Sequence, residues 1–98
     1  MTFFFEKERI KATTDDGIPM GYITFSRVRP GLVNISHVAT APEYRNQNVE
    51  HAMMDALLPH LARHGLKAAL TSPFAQQYIG KHPEWKHILP GEMHFTKY

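Results

Sequence analysis

Thr40-Ala41-Pro42-Glu43-Tyr44-Arg45-Asn46-Gln47-Asn48-Val49-Glu50-His51, running on through Ala52-Met53-Met54-Asp55-Ala56-Leu57-Leu58-Pro59-His60-Leu61-Ala62-Arg63-His64-Gly65, is the segment around which the rest of the chain is arranged. It reads as the end of a strand, a polar loop and an amphipathic helix. Val49, Met53, Ala56, Leu57 and Leu61 recur at helical spacing and form the face that would pack on a sheet. Gly65 suits the position just past the helix, where a left-handed backbone carries no Cβ penalty. Pro59 lies inside the pattern; it lacks an N–H, so a kink or a break is expected near Asp55. A helix that starts just beyond a strand leaves its first N–H groups unpaired and pointing outward. With the helix dipole they make a ready anion site, so function turns on whether a phosphate group sits there.

The flanking sequence supplies the sheet. Phe3 to Phe5 and Arg9 to Thr13 read as one or two short strands broken near Glu6 to Glu8. Asp15-Asp16-Gly17 is a hairpin turn signal, because glycine takes positive φ freely. Met20 to Arg27 alternates as a strand with Ile23 and Phe25 on one face. Arg29-Pro30-Gly31 turns the chain again, and Leu32 to Thr40 is a strand with Val33, Ile35 and His37 expected on one face. Strands joined by tight turns make an antiparallel meander. After the helix, Lys67 to Thr71 reads as a short strand parallel to its predecessor, since a helix connects the two. Ser72-Pro73 places an N-cap and a first-turn proline for a second helix, Phe74 to about Lys81. His82-Pro83-Glu84-Trp85 stops it, with Trp85 covering the sheet. The tail, with Ile88, Leu89, Pro90-Gly91 and Phe95, is expected to be irregular or a short edge strand. The fold class is therefore α+β: an antiparallel β-meander followed by helix-strand-helix packed on a mixed sheet.

Ninety-eight residues, 43% hydrophobic and 20% charged, bound this to one domain, residues 1–98, with a single core. There is no cysteine, which excludes disulfides, thiolate metal sites and a cysteine nucleophile and is compatible with a cytoplasmic location. The apolar run at the start, Phe3 to Phe5, is too short for a signal-peptide core or a membrane span. The net charge of +2 comes from scattered Lys and Arg with no basic block, which argues against nucleic acid as a partner. Seven histidines stand at 37, 51, 60, 64, 82, 87 and 94. The one helical i,i+4 pair, His60 and His64, has no acidic partner nearby in sequence and reads as a half-exposed helix face, so no metal is expected.

Pro42-Glu43-Tyr44-Arg45-x-Gln47 before the first helix and Tyr78-Ile79-x-Lys81-His82-Pro83-Glu84-Trp85 at the end of the second resemble the GNAT N-acetyltransferase superfamily, and more closely its compact single-domain branch. In that branch a loop of the form Arg-Gly-Gln-Gly-x-Gly/Ala precedes the helix, and Tyr-x-x-x-His-Pro-Glu-aromatic closes the next one. The resemblance spans roughly residues 9 to 90. It implies acetyl-CoA as cofactor, with its pyrophosphate on loop amides, and acetyl transfer to an unidentified amine, which could be carried by a protein. The cofactor contacts it implies are Val38, Ala39 and Thr40 on the strand, Arg45, Asn46, Gln47, Asn48, Val49, Glu50 and His51 at the loop and helix start, and Phe74. As catalytic residues it implies His37, matching a histidine common on that strand, as general base; Ser72, where the branch often has a cysteine near the thioester; and Tyr78 as the acid that protonates the departing thiol. A strand backbone N–H near His37 would polarise the acetyl carbonyl.

Three departures bear on this expectation. Asn46, Asn48 and Glu50 replace the three small residues of the loop. Asparagine is the next best residue for left-handed backbone, at roughly 1 kcal/mol each, so the loop's shape survives on paper. Glu50 suits the helix dipole but repels a diphosphate, on the order of 3 kcal/mol per unit charge at about 5 Å and an effective dielectric near 20. Its carboxylate could occupy the anion site itself. Val38 and Ala39 stand where a hydroxyl and a carboxylate are usual, and Ser72 cannot act as a thiolate. Two further readings therefore stand beside acetyl transfer: a binding or scaffold module of the same fold with weak or no coenzyme affinity, and a nucleic-acid-associated protein.

Overall fold

The alternation of apolar residues in the first forty positions is realised as four antiparallel strands. They are β1 (Thr2–Phe5), β2 (Arg9–Thr13), β3 (Pro19–Arg29) and β4 (Leu32–Thr40) in a computed structural model that describes residues 1–91. A 3-10 helix, Pro42–Gln47, leads into α1 (Val49–Arg63); β5 (Lys67–Leu70), α2 (Pro73–Lys81) and a second 3-10 helix, Pro83–Ile88, follow. The sheet order is β1-β2-β3-β4-β5, antiparallel up to β4 and parallel between β4 and β5. This is the expected α+β architecture. Phe95 lies outside the described residues, and Ile88, expected to begin an irregular tail, instead ends the second 3-10 helix with its side chain in the core.

Local chemistry explains the helix ends. Gly65 (φ +68°) follows α1; its N–H donates to Ala62 O, and the N–H of Leu66 reaches Leu61 O, the paired bonds of a Schellman cap. Ser72 accepts from the Ala75 N–H at 3.3 Å while Pro73 occupies the first turn of α2, as the Ser-Pro pair predicts. Pro59 does not break α1, which continues to Arg63. The reason is packing: Leu57, Leu58 and Leu61 are fully buried. At about 2 kcal/mol each, they outweigh an interior proline penalty of about 3 kcal/mol.

The core lies between one face of the sheet and the two helices. Ile10, Ala12, Ile23, Phe25, Val33 and Ile35 enter it from the strands, and Val49, Met53, Leu57 and Leu61 from α1. Met54 and Leu58, outside the expected stripe, are equally buried, because α2 adds a second wall beside the sheet (Ala75, Tyr78, Ile79). Gly21 leaves no room for a side chain: a Cβ there would stand 2.5 Å from Ala39 O on β4 and 3.2 Å from Met53 Cε on α1.

The expected face assignment of His37 fails. Phe25 pairs with Ile35 but Thr24 pairs with His37, so Ser36 is an extra residue in β4, a bulge. One inserted residue inverts the alternation beyond it. Val38 turns to the core and His37 turns out, where its ring stacks with Tyr22 at 5.7 Å between centroids. Among the described residues no helix covers that outer face. None is long and apolar enough to cross a membrane.

The edge strand β1 is tied to α1 through an aromatic contact. Phe3 packs on the core, and the Phe5 ring stacks on His60 with centroids 4.1 Å apart and planes 14° apart. Burial lowers the His60 pKa below 6.5, and the nearby His64 and Arg63 add to this. The unfolded chain therefore binds a proton at His60 more readily than the folded one, so stability is full above pH 6.5 and falls as pH drops below it. His60→Phe keeps a stacked ring and removes the titration. Urea midpoints measured between pH 7 and pH 5 should fall less steeply for this variant than for the parent; parallel curves would show that His60 is not the titrating contact.

Candidate functional site

The end of β4 is paired on one side only. Ala41 N–H donates to Met20 O at 2.8 Å, which sets the ladder's alternation. The polar backbone groups of His37 and Ala39 face β3, and those of Val38 and Thr40 face the other way. Among the described residues no strand pairs with that other side. β5 accompanies β4 only as far as Ile35 paired with Leu70, and Ile35 O then accepts both the Thr71 and Ser72 N–H groups at 3.1 Å. Beyond this point the chain turns into α2, and the two strands part.

The chain leaving β4 shapes the second half of the site. The segment expected as plain loop is a 3-10 helix, Pro42–Gln47, with proline in its first turn and no buried residue. Asn48 then takes a left-handed conformation, φ 53° and ψ 39°, and is the only non-glycine residue with positive φ among those described. Of the three replaced small positions, only this one requires the special backbone; Asn46 sits within the 3-10 turn. α1 opens directly after Asn48 with no side-chain cap. A hollow of about 330 Å³ lies beside this helix start, lined by Gln47, Asn48, His51, Ala52 and Asp55.

Glu50 does not cap the helix. Its carboxylate accepts a 2.7 Å hydrogen bond from Thr40 Oγ1, which draws it back toward the end of β4. Val49 is fully buried, so only its backbone is available to a ligand. Arg45, Asn46 and Gln47 are exposed on the 3-10 turn. Phe74 is partly buried against the core at the start of α2, and Ser72 Oγ is already engaged by Ala75 N–H.

The three candidate catalytic side chains do not converge. His37 stands on the outer face of the sheet with Tyr22, whereas Tyr78 is buried on the helix side and Ser72 lies at the tip of β5. Tyr78 belongs to a polar cluster that joins α1 to α2. Its hydroxyl donates to Asp55, its ring stacks on His82 at 4.2 Å between centroids, and the His51 ring meets it edge-on at 5.0 Å. His51 Nε2 lies 3.9 Å from Asp55 Oδ1. Desolvation, the hydrogen bond to Asp55 and the nearby Asp55 and Glu84 charges push the Tyr78 pKa upward, so the phenol holds its proton. Asp55 was missed in the sequence, although it stands four residues after His51 on one helix face. Tyr78 and His82 show the same i,i+4 signal.

A family model described as GCN5-related N-acetyl-transferase matches residues 9–88. No curated protein matches the chain. Among solved structures, a GCN5-like protein from Staphylococcus aureus superposes with a TM-score of 0.73 at 20% identity, covering 99% of this chain and 95% of its own. A Mycobacterium tuberculosis protein in complex with CoA gives 0.63 at 22% identity, over 79% of this chain but about half (48%) of its own length. The ribosomal-protein-alanine N-acetyltransferase of Brucella melitensis gives 0.58 at 17% identity, covering 92% of this chain and 67% of its own. At these identities the structures establish a common fold.

The left-handed opening of α1 is testable through stability. Asn48→Val should lower the unfolding free energy by about 1–2 kcal/mol, because a branched Cβ is disfavoured at positive φ. Asn48→Gly should stay within about 1 kcal/mol of the parent. Equal urea midpoints for the valine variant and the parent would show that residue 48 is not left-handed in solution.

Proposed function

The chain belongs to the GCN5-related N-acetyltransferases, and from that premise we propose that it transfers an acetyl group from acetyl-CoA to a primary amine. The observation that carries this reading is the juxtaposition of a strand edge with unpaired backbone groups and a helix start with no side-chain cap. The edge of β4 at Val38 and Thr40 suits an extended chain carrying amides, held as an added strand would be. The N–H groups of Val49, Glu50 and His51 suit a diphosphate, with Arg45 and Gln47 on the preceding turn. When bound, the coenzyme supplies an activated thioester.

In this reading the Val38 N–H polarises the acetyl carbonyl and stabilises the oxyanion that forms as the amine attacks. Positioning of two reactants on one strand supplies much of the remaining rate. His37, on the outer face next to that edge, accepts the proton that the acceptor's ammonium group must lose before the free amine attacks; the C–N bond then forms as the thioester C–S bond breaks and the sulfur leaves as thiolate. Ser72 organises the start of α2 through its cap. Tyr78 holds its proton against Asp55 and fixes α1 to α2, so it acts first as a positioning residue. A cytoplasmic location belongs to the same reading, since a chain without cysteine draws no benefit from an oxidising compartment. The lack of further helices around β4 among the described residues favours an amine displayed on a larger partner.

A second reading is favoured by Glu50, whose carboxylate stands in the first turn of α1 beside the proposed diphosphate position. It is a scaffold of the same fold with little coenzyme affinity. Thermal unfolding with millimolar acetyl-CoA separates the two. Ligand at ten times its Kd adds about 1.4 kcal/mol, a rise of several degrees for a chain of this size; an unchanged midpoint would favour the scaffold. Glu50→Gln combined with Asn48→Gly should tighten CoA binding by roughly fivefold, the equivalent of about 1 kcal/mol of relieved repulsion at a half-exposed site. Unchanged calorimetric affinity would overturn the assignment of the diphosphate to this turn.

A further inference from the structure

The face of the sheet opposite the helices carries two cross-strand rows. Phe4, Lys11, Tyr22 and Ala39 are register partners in succession from β1 to β4, and Arg9, Thr24 and His37 form the next row. Phe3 and Phe5 point to the helix side, so Phe4 between them points outward, where it is 49% exposed. The Arg9 guanidinium lies over the Tyr22 ring, 4.8 Å from its centroid, and the same ring stacks with His37. Arg9 has no carboxylate partner among the described residues, whereas Lys11 pairs with Glu6 at 3.1 Å.

Beside these rows lies a cavity of about 470 Å³, whose walls include Arg9, Lys11, Pro19, Tyr22 and residues 39–41. Its size is that of a small-ligand site. Both of its charged lining residues are cations, and none is acidic. The polar demand is therefore for an anion, and the aromatic and aliphatic walls suit a short hydrocarbon stem. The cavity abuts the strand on which acetyl transfer is proposed, and His37 connects the two through its stack on Tyr22. We infer that the acceptor is an amine whose carrier bears a carboxylate. The carboxylate is held by Arg9, since Lys11 is paired with Glu6, the stem lies beside Tyr22, and the amine is directed toward His37 and the edge of β4. The span from β2 to β4 is two strand spacings, about 10 Å, so the carboxylate is not on the same carbon as the amine. This inference names the substrate class for the acetyl-transfer reading and rests on it for the role of the amine.

The test is binding without coenzyme, followed by backbone amide shifts of Arg9, Tyr22 and His37 in NMR spectra. The probes are the C-terminally amidated peptides Ala-Glu-Glu-Ala, Ala-Gln-Gln-Ala and Ala-Lys-Lys-Ala, each with a free amino terminus, and γ-aminobutyrate as a small carrier. The acidic peptide should bind at least tenfold more tightly than the neutral one, and the basic peptide more weakly still. Arg9→Gln should reduce the acidic preference to less than threefold, and Arg9→Lys, which retains the charge, should keep most of it. Selective binding of γ-aminobutyrate with the same shifts would support the inference and identify a small acid as the carrier. Equal affinities across the three peptides, or an unchanged preference in Arg9→Gln, would overturn it. Acetylation of neutral and acidic peptides at equal rates would overturn this inference while leaving acetyl transfer intact. Selective acidic binding with no response to acetyl-CoA would instead count against acetyl transfer alone.

Discussion

β4 is held on both sides for half its length and on one side for the rest, and the arrangement around the site depends on that. Up to Ile35 it sits between β3 and β5; after Ile35 its second neighbour has turned away into α2. Backbone N–H and C=O groups that lose a strand partner need another acceptor or donor. Among the described residues the edge at Val38 and Thr40 lacks a strand partner, which is why the proposed function seats an extended ligand there. The Ser36 bulge adds a second consequence by reversing the facing of every residue after it.

That reversal divides the site's chemistry between the two faces. Toward the helices, Val38 joins the core, and the polar cluster of His51, Asp55, Tyr78 and His82 bridges α1 to α2. Toward the outside, His37 and Arg9 both pack on the Tyr22 ring. The helix side joins α1 to α2, and among the described residues no helix packs on the outer side. The β4 edge is the boundary where both meet.

The start of α1 shows how a substituted loop keeps its shape. Asn48 adopts the backbone for which glycine is the usual choice, and no side chain caps the first N–H groups of α1. Glu50 is drawn aside by Thr40 rather than folding over the amides. Its negative charge nevertheless stays in the first turn of α1.

Much of this was legible from residue order alone. The strand pattern, the Gly65 cap, the Ser72-Pro73 start of α2, the parallel β5 and the left-handed asparagine before α1 are all local effects, set by backbone preferences within a few residues. The sequence motifs also pointed to the acetyltransferase family. Other features needed the folded chain. The Ser36 bulge arises from how β4 aligns with β3, and nothing in Asn34-Ile35-Ser36-His37 marks it, so His37 was placed on the wrong face. Pro59 stays helical because distant sheet residues bury the leucines around it. The Tyr78–Asp55 bond, the Thr40–Glu50 bond and the pairing of Arg9 with Tyr22 join residues separated by 23, 10 and 13 positions. Such contacts depend on register and packing, which only the tertiary structure decides.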